Sequence, residues 1–147
     1  MPDGDDAVVV GGGPAGALTA LLLARRGWRV RLFDRDRFPR PKLCGDTLNP
    51  GALGVLRRHL AIEPLLELGW PLRGMRLSGP AGEVVDAPYP DGVTGLSVTR
   101  AVLDHWLVEQ ATAAGVCLVE GAAATGPLWS DGRVAGVLVR GRGSVTS

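Results

Sequence analysis

A glycine-rich turn near the start of the chain restricts its fold more than any other feature. Residues 11–16 read GGGPAG and follow the β-branched run Ala7–Val10. The residues after the turn are mostly helix formers and end at Gly27, as is common where a glycine closes a helix. A second β-rich run then ends in Asp34. This order predicts strand, turn, helix and strand, with the first strand buried on both faces as parallel strands are.

The turn has the glycine spacing of a dinucleotide-binding fingerprint, at Gly11, Gly13 and Gly16. The first glycine permits a tight turn, the second lets a pyrophosphate approach the backbone, and the third allows close packing of the helix. Pro14 suits the first helical turn, where its missing N–H costs nothing. The N–H groups of Ala15 and Gly16, at the positive end of the helix dipole, are then predicted to face the phosphates.

Asp34 lies about 20 residues beyond the turn, where a carboxylate accepts hydrogen bonds from the adenosine ribose. A carboxylate there disfavours NADP, because it would repel the 2′-phosphate. The fingerprint by itself fits NAD, and a glycine-rich turn in an ordinary α/β unit is the alternative without any ligand. The position of the motif between a strand and a helix favours dinucleotide binding.

Composition places the chain among ordinary globular domains. Its 147 residues suffice for one domain, with 46% hydrophobic and 21% charged residues. The net charge of +1 gives no reason to expect nucleic acid or an anionic membrane as partner. The apolar run at residues 17–24 is too short to span a bilayer and follows acidic residues, so neither a transmembrane segment nor a signal peptide is expected.

The two cysteines, Cys44 and Cys117, stand far apart with no spacing that suggests a disulfide framework or a metal site. This usage fits a reducing, cytoplasmic setting. Cys117 lies in an apolar run and is expected to be a core thiol. Cys44 lies in a cation-rich loop, where it either reacts as a thiolate or has a purely positional role.

The remaining elements are predicted from local signals. Residues 35–47 contain two prolines and alternating charges, which predicts a loop. Its cations form a solvated face, or Arg35 and Lys42 neutralise a bound cofactor. Helices are predicted after Asn49, near residues 63–68 and over residues 100–114. Strands are predicted at Gly74–Ser78, 84–87 and 96–98 as one small sheet, at 116–119 as a buried parallel strand, and on both sides of a turn at 130–133.

Residues 141–147 read as a turn and the start of another strand, so we expect the opening portion of a longer protein.

Three segments together resemble FAD-dependent oxidoreductases of the para-hydroxybenzoate hydroxylase type, in the branch of geranylgeranyl reductases and flavin-dependent halogenases. They are VVVGGGPAG at residues 8–16, FPRPKLCGD at 38–46 and RAVLDHWL at 100–107. The resemblance implies an α/β fold: a Rossmann-like βαβ dinucleotide-binding unit with a parallel sheet and small antiparallel β additions. It also implies that residues 1–147 are an incomplete FAD-binding domain, without the second FAD segment or the substrate domain.

The same resemblance implies a set of FAD contacts along the chain. They are Ala15 and Gly16 at the pyrophosphate, Asp34 at the ribose, Lys42, Cys44, Gly45 and Thr47 along the flavin, Arg100 at a helix start, and Ala124 near the adenosine. The turn residues Gly11, Gly13 and Pro14 and the cation Arg35 are further expected cofactor contacts, from the fingerprint and the charge pattern described above. In the whole enzyme NAD(P)H would reduce the flavin, for monooxygenation, halogenation or reduction of an alkene in an isoprenoid or aromatic small molecule. No catalytic residue is identified, and the chain by itself is expected to be inactive.

Two other functions remain open at this point. One is an NAD-binding oxidoreductase domain of another class, and the other is a non-catalytic nucleotide-binding module. Neither the substrate nor the oligomeric state follows from the sequence.

Overall fold

The computed structural model describes residues 4–140, which fall into two compact units. The first unit is Met1–Pro41 with Leu103–Ser147, and the second is Lys42–Val102. The predicted strand at residues 141–147 lies outside the described residues. The elements in chain order are β1 (Ala7–Val10), α1 (Pro14–Ala24), β2 (Val30–Asp34), β3 (Thr47–Leu48), α2 (Pro50–His59), α3 (Glu63–Glu67), β4 (Trp70–Leu72), β5 (Gly74–Ser78), β6 (Val84–Pro88), β7 (Gly95–Ser97), α4 (Arg100–Ala113), β8 (Cys117–Glu120), β9 (Ala123–Ser130) and β10 (Arg133–Arg140).

The predicted strand–turn–helix–strand unit opens the first unit. Gly11 has φ +94°, a conformation that side chains other than glycine rarely adopt, and it turns the chain out of β1. Helix α1 begins at Pro14, and Gly27 follows its end with φ +85°. A Cβ at Gly16 would overlap the carbonyl oxygen of Gly11 and lie 3.5 Å from Cγ1 of Val9. The helix therefore approaches the turn as closely as a bare backbone permits.

A parallel sheet with strand order β1-β2-β8 supports this unit. One face receives α1. On the other face Phe33 packs with Ala122 and Val139, while the neighbouring row of Val8, Arg31 and Cys117 is left partly open. The prediction that β1 is buried on both faces is wrong, since Val8 and Val10 are exposed. The prediction of a core thiol is also wrong: Cys117 is exposed at the first position of β8, an edge strand of this sheet among the described residues.

Strands β9 and β10 form the predicted hairpin. Asp131 and Gly132 have φ of +49° and +73°, and two consecutive positive φ values are the signature of the turn that matches the twist of antiparallel strands. Val139 of β10 and Ala122, which precedes β9, supply the cover for Phe33. The hairpin predicted from the turn sequence is thus confirmed, and it brings Val139 onto Phe33.

The second unit contains two antiparallel sheets where one was predicted. Strands β3, β7 and β4 form a three-stranded sheet with β7 in the middle, and β5 pairs with β6. The switch occurs at Arg73, because Leu72 pairs with Gly95 whereas Gly74 pairs with Pro88. The strands β3 and β4 were not predicted, since two or three residues are too few for a recognisable alternation.

The helices follow their sequence signals. In α2 the side chain of Asn49 accepts a hydrogen bond from Ala52 N–H at 2.8 Å, which is the predicted N-cap. In α4 the predicted apolar residues Leu103, Trp106 and Leu107 are buried, and Gly115 follows the helix with φ +97°. Within residues 4–140 no helix combines the length and the apolar character needed to cross a bilayer.

We predict that Gly16→Ala destabilises the fold by about 1–3 kcal/mol, because the added methyl group overlaps the backbone of Gly11. Gly54→Ala is the matched control, since it adds a methyl group in a helix where nothing lies within 4 Å of the new atom. There the replacement stabilises by roughly 0.5–1 kcal/mol. Urea denaturation of both variants checks this, and equal midpoints would contradict the close packing at Gly16.

Candidate dinucleotide-binding site

The backbone of the glycine turn is arranged to receive an anion. Gly13 is the N-cap of α1 and no side chain caps the helix, which also has no acidic residue in its first turn. Ala15 is exposed and Gly16 is half-buried. Within residues 4–140 no side chain therefore caps the N–H groups at this helix start, and the turn fits a pyrophosphate.

Asp34 lies beside this turn and is tied to it. Its Oδ2 accepts a hydrogen bond from Gly12 N–H at 2.7 Å, and its Oδ1 accepts one from Asp36 N–H at 2.9 Å. The side chain is buried, and a Cβ at Gly12 would lie 3.4 Å from Oδ2. The carboxylate therefore points towards the glycine turn, and it sits at the end of β2 where a ribose acceptor is required.

Arg40 stands next to Asp34, and sequence reasoning did not identify it as important. Its Nη2 lies 3.4 Å from Oδ2 of Asp34 and 3.5 Å from Oδ2 of Asp104, which belongs to α4. Arg40 is 7% exposed and Asp104 is fully buried, and the guanidinium lies 5.0 Å from the centre of the Phe38 ring. A buried cation thus joins two buried carboxylates and stacks on an aromatic ring.

One signal for this cluster was present in the sequence. Asp104 lies three residues before Leu107 and seven before Ala111, so it occupies the apolar face of α4. A carboxylate on a buried face requires a cation, because an unpaired charge is rarely buried. Which of the cations in residues 25–42 supplies it does not follow from spacing.

The other predicted residues of the first unit lie at its surface. The guanidinium of Arg35 is exposed and lies 3.6 Å from Oδ2 of Asp36. Ala124 is half-buried in β9 and pairs with Val139. The turn and Asp34 therefore form the connected part of the predicted site, whereas Arg35 pairs with Asp36 and Ala124 pairs with Val139.

The second unit brings Cys44, Asp46 and Arg100 together. Oδ1 of Asp46 accepts a hydrogen bond from Arg100 N–H at 3.1 Å, and Val98 N–H donates to the Asp46 carbonyl oxygen at 2.9 Å. The pKa of the Cys44 thiol lies below its usual value. The larger cause is a hydrogen bond from the Asp46 N–H, and the next is a hydrogen bond from the Arg100 side chain, whereas desolvation acts in the opposite direction. Lys42 and Gly45 are exposed in the same loop, and Thr47 begins β3. The loop places a thiol of lowered pKa beside a cation, whereas no group of three potential metal ligands is formed among residues 4–140.

The sequence matches the profile of the FAD binding domain family over residues 5–145. The chain belongs to this family. The match spans both units and confirms the resemblance and the FAD cofactor drawn from the sequence motifs, as well as the α/β fold with its parallel sheet.

Two relatives are reductases. The chain is 41% identical over 126 residues to the menaquinone reductase of Mycobacterium tuberculosis, and the alignment covers 84% of this chain and 31% of that protein. It is 39% identical over 112 residues to the geranylgeranyl diphosphate reductase of Rhodobacter capsulatus, and this alignment covers 75% of this chain and 26% of that protein. The chain thus spans about a quarter to a third of the length of these relatives.

Solved structures show the same fold. The myxobacterial chondrochloren halogenase CndH, described as a variant of FAD-dependent halogenases, superposes with a TM-score of 0.85 at 27% identity, over 96% of this chain and 34% of that one. A geranylgeranyl bacteriochlorophyll reductase-like protein from Thermoplasma acidophilum superposes with a TM-score of 0.78 at 24% identity, over 96% of this chain and 36% of that one. This second likeness concerns the fold alone.

We predict that Arg100→Met slows the alkylation of Cys44 at pH 7, because loss of the cation raises the thiol pKa and leaves less thiolate. Peptide mapping after iodoacetamide treatment across a pH series measures the rate at Cys44, with Cys117 in the same chain as internal reference. The profile for Cys44 shifts to higher pH in the variant while that for Cys117 does not. Superimposable Cys44 profiles would rule out the contact with Arg100.

We predict that Arg40→Met lowers the free energy of unfolding by about 3–5 kcal/mol, because it leaves the carboxylates of Asp34 and Asp104 buried without their shared cation. Arg37→Met is the control in the same loop, at an exposed position, where the change is within about 0.5 kcal/mol. Thermal and urea unfolding of the pair measure the difference. Similar stabilities would show that the buried cluster contributes nothing.

Proposed function

We propose that the chain is the ADP-binding, N-terminal portion of an FAD-dependent oxidoreductase, as one FAD-binding domain over residues 1–147. The observation that supports this most is the hydrogen bond between the Asp34 carboxylate and Gly12 N–H. It sets a ribose acceptor beside the uncapped start of α1, so that acceptors for hydroxyl groups and donors for phosphates lie next to each other. In this arrangement Gly11, Gly13, Pro14, Ala15 and Gly16 bind the pyrophosphate and Asp34 binds the ribose.

The flavin half is proposed to contact the loop of the second unit through Lys42, Cys44, Gly45 and Thr47, together with Arg100. A cation hydrogen-bonded to an exposed thiol suits a ring system that gains negative charge on reduction, and the loop has no bulky side chain at Gly45. Arg35 and Ala124 are proposed to contact the adenosine side. Cys44 is assigned a positional role, because the second unit contains no other cysteine that could form a disulfide with it.

The reaction proposed for the whole protein is reduction of an alkene in an isoprenoid or quinone-like small molecule, with NAD(P)H as electron donor. Two reductases share about 40% identity with this chain, whereas the halogenase CndH shares 27%. FAD supplies hydride chemistry when bound, and the residues of this chain bind and orient it. We assign no proton donor or nucleophile to this chain and propose that it is inactive by itself. A reducing, cytoplasmic setting is proposed from its two unpaired cysteines.

We predict that Asp34→Asn weakens FAD binding roughly 10- to 150-fold, the equivalent of one hydrogen bond to a charged group. Quenching of flavin fluorescence on titration with protein gives the dissociation constant. Asp131→Asn serves as control, because it makes the same change at an exposed turn whose positive φ asparagine tolerates.

Titration with NAD separates the proposal from its main alternative. A protein that binds NAD and not FAD would be a nicotinamide-dependent domain of another class. Unchanged FAD affinity in Asp34→Asn would contradict the assignment of the ribose acceptor.

A further inference from the structure

We propose that Arg40 is the positioning residue of the ribose site: its buried guanidinium ties the carboxylate of Asp34 to Asp104 of α4 and so fixes the oxygen that receives the ribose. The inference rests on the proposed function, in which Asp34 binds the adenosine ribose. It assigns Arg40 a role that is exerted through the carboxylate of Asp34.

The contacts of the Asp34 carboxylate distinguish its two oxygens. Oδ2 receives two donors, Gly12 N–H at 2.7 Å and Nη2 of Arg40 at 3.4 Å. Oδ1 receives one donor, Asp36 N–H at 2.9 Å. A carboxylate oxygen accepts two hydrogen bonds readily, so Oδ2 is saturated and Oδ1 retains one free lone pair. Oδ1 is therefore the atom that accepts from the ribose.

Arg40 is held so that it cannot follow a moving carboxylate. Its Nη2 stands between Asp34 and Asp104, and the guanidinium stacks on Phe38. Its Nε lies 4.0 Å from Oδ2 of Asp36 and, among the described residues, forms no hydrogen bond. Two buried carboxylates share this one cation, so a movement of Arg40 towards one of them weakens its ion pair with the other. Helix α4 thereby anchors the end of β2.

Lysine cannot reproduce this arrangement although it keeps the charge. A guanidinium is planar, presents several fixed donors and stacks on an aromatic face, whereas an ammonium is a compact point charge on a flexible stem. Arg40→Lys therefore keeps the single positive charge and removes the bridge. This makes it a sharper probe than a neutral substitution.

The experiment compares binding of ADP and 2′,3′-dideoxy-ADP by calorimetry. The ratio of the two affinities isolates the ribose hydroxyl groups, because the two probes share the adenine and both phosphates. The variants are Asp34→Asn, Arg40→Lys and their combination, with Arg37→Lys as the control at an exposed position of the same loop. The wild-type protein is expected to favour ADP roughly tenfold or more.

Arg40→Lys is expected to bring the ratio close to one, as Asp34→Asn does, while Arg37→Lys leaves it unchanged. The combined variant is expected to show no further loss, because both substitutions remove the same hydrogen bond. A general loss of stability would weaken both probes equally and leave the ratio intact.

The inference is overturned if Asp34→Asn brings the affinity ratio to one while Arg40→Lys keeps the wild-type ratio. That outcome leaves the proposed function standing. If the wild-type protein shows no preference for ADP, the ribose assignment fails and the inference fails with it. Should Arg40→Lys not fold, Asp104→Asn provides the second test, since it keeps the guanidinium and neutralises its other carboxylate. A wild-type affinity ratio in Asp104→Asn would equally contradict the positioning role of Arg40.

Discussion

The carboxylate of Asp34 is the point at which several parts of the first unit meet. It accepts from the backbone of the glycine turn, from the chain just beyond β2 and from a buried arginine. Because Asp34 ends the middle strand of the parallel sheet, the turn is fixed relative to β2 as well as to β1. The start of α1 consequently has a defined orientation before any ligand binds, which lowers the entropic cost of binding.

Burial gives this interaction its strength and also makes it vulnerable. Asp34, Arg40 and Asp104 lie out of water, where an ion pair is stronger than at the surface and an unpaired charge is costly. The exposed pair of Arg76 and Asp86 on the β5–β6 hairpin is a contrast, with a separation of 2.6 Å but little protection from solvent. Short distance by itself therefore does not identify the pair on which the site depends.

Local signals predicted most of the fold and the conformation of the glycine turn. The cap at Asn49, the glycine at position 11 and the pair Asp131-Gly132 each act on neighbouring residues, so their effect is visible in the sequence. Long-range pairing was not visible in the same way. The partner of Asp104 lies 64 residues earlier, and the exposure of Cys117 depends on which residues cover one row of the sheet. Both depend on tertiary structure, which single-residue propensities do not encode.

The parallel sheet is assembled from distant parts of the chain, and this bears on how it forms. Strands β1 and β2 are joined through α1, whereas residues 35–116 intervene between β2 and β8. Loop-closure entropy disfavours early pairing across so long a separation, while the βαβ unit closes over a short one. The turn proposed to receive the phosphates is therefore built from the most local contacts of the sheet, and we expect the β2–β8 ladder to form after them. On this expectation a nascent chain would possess its glycine turn well before its sheet was finished.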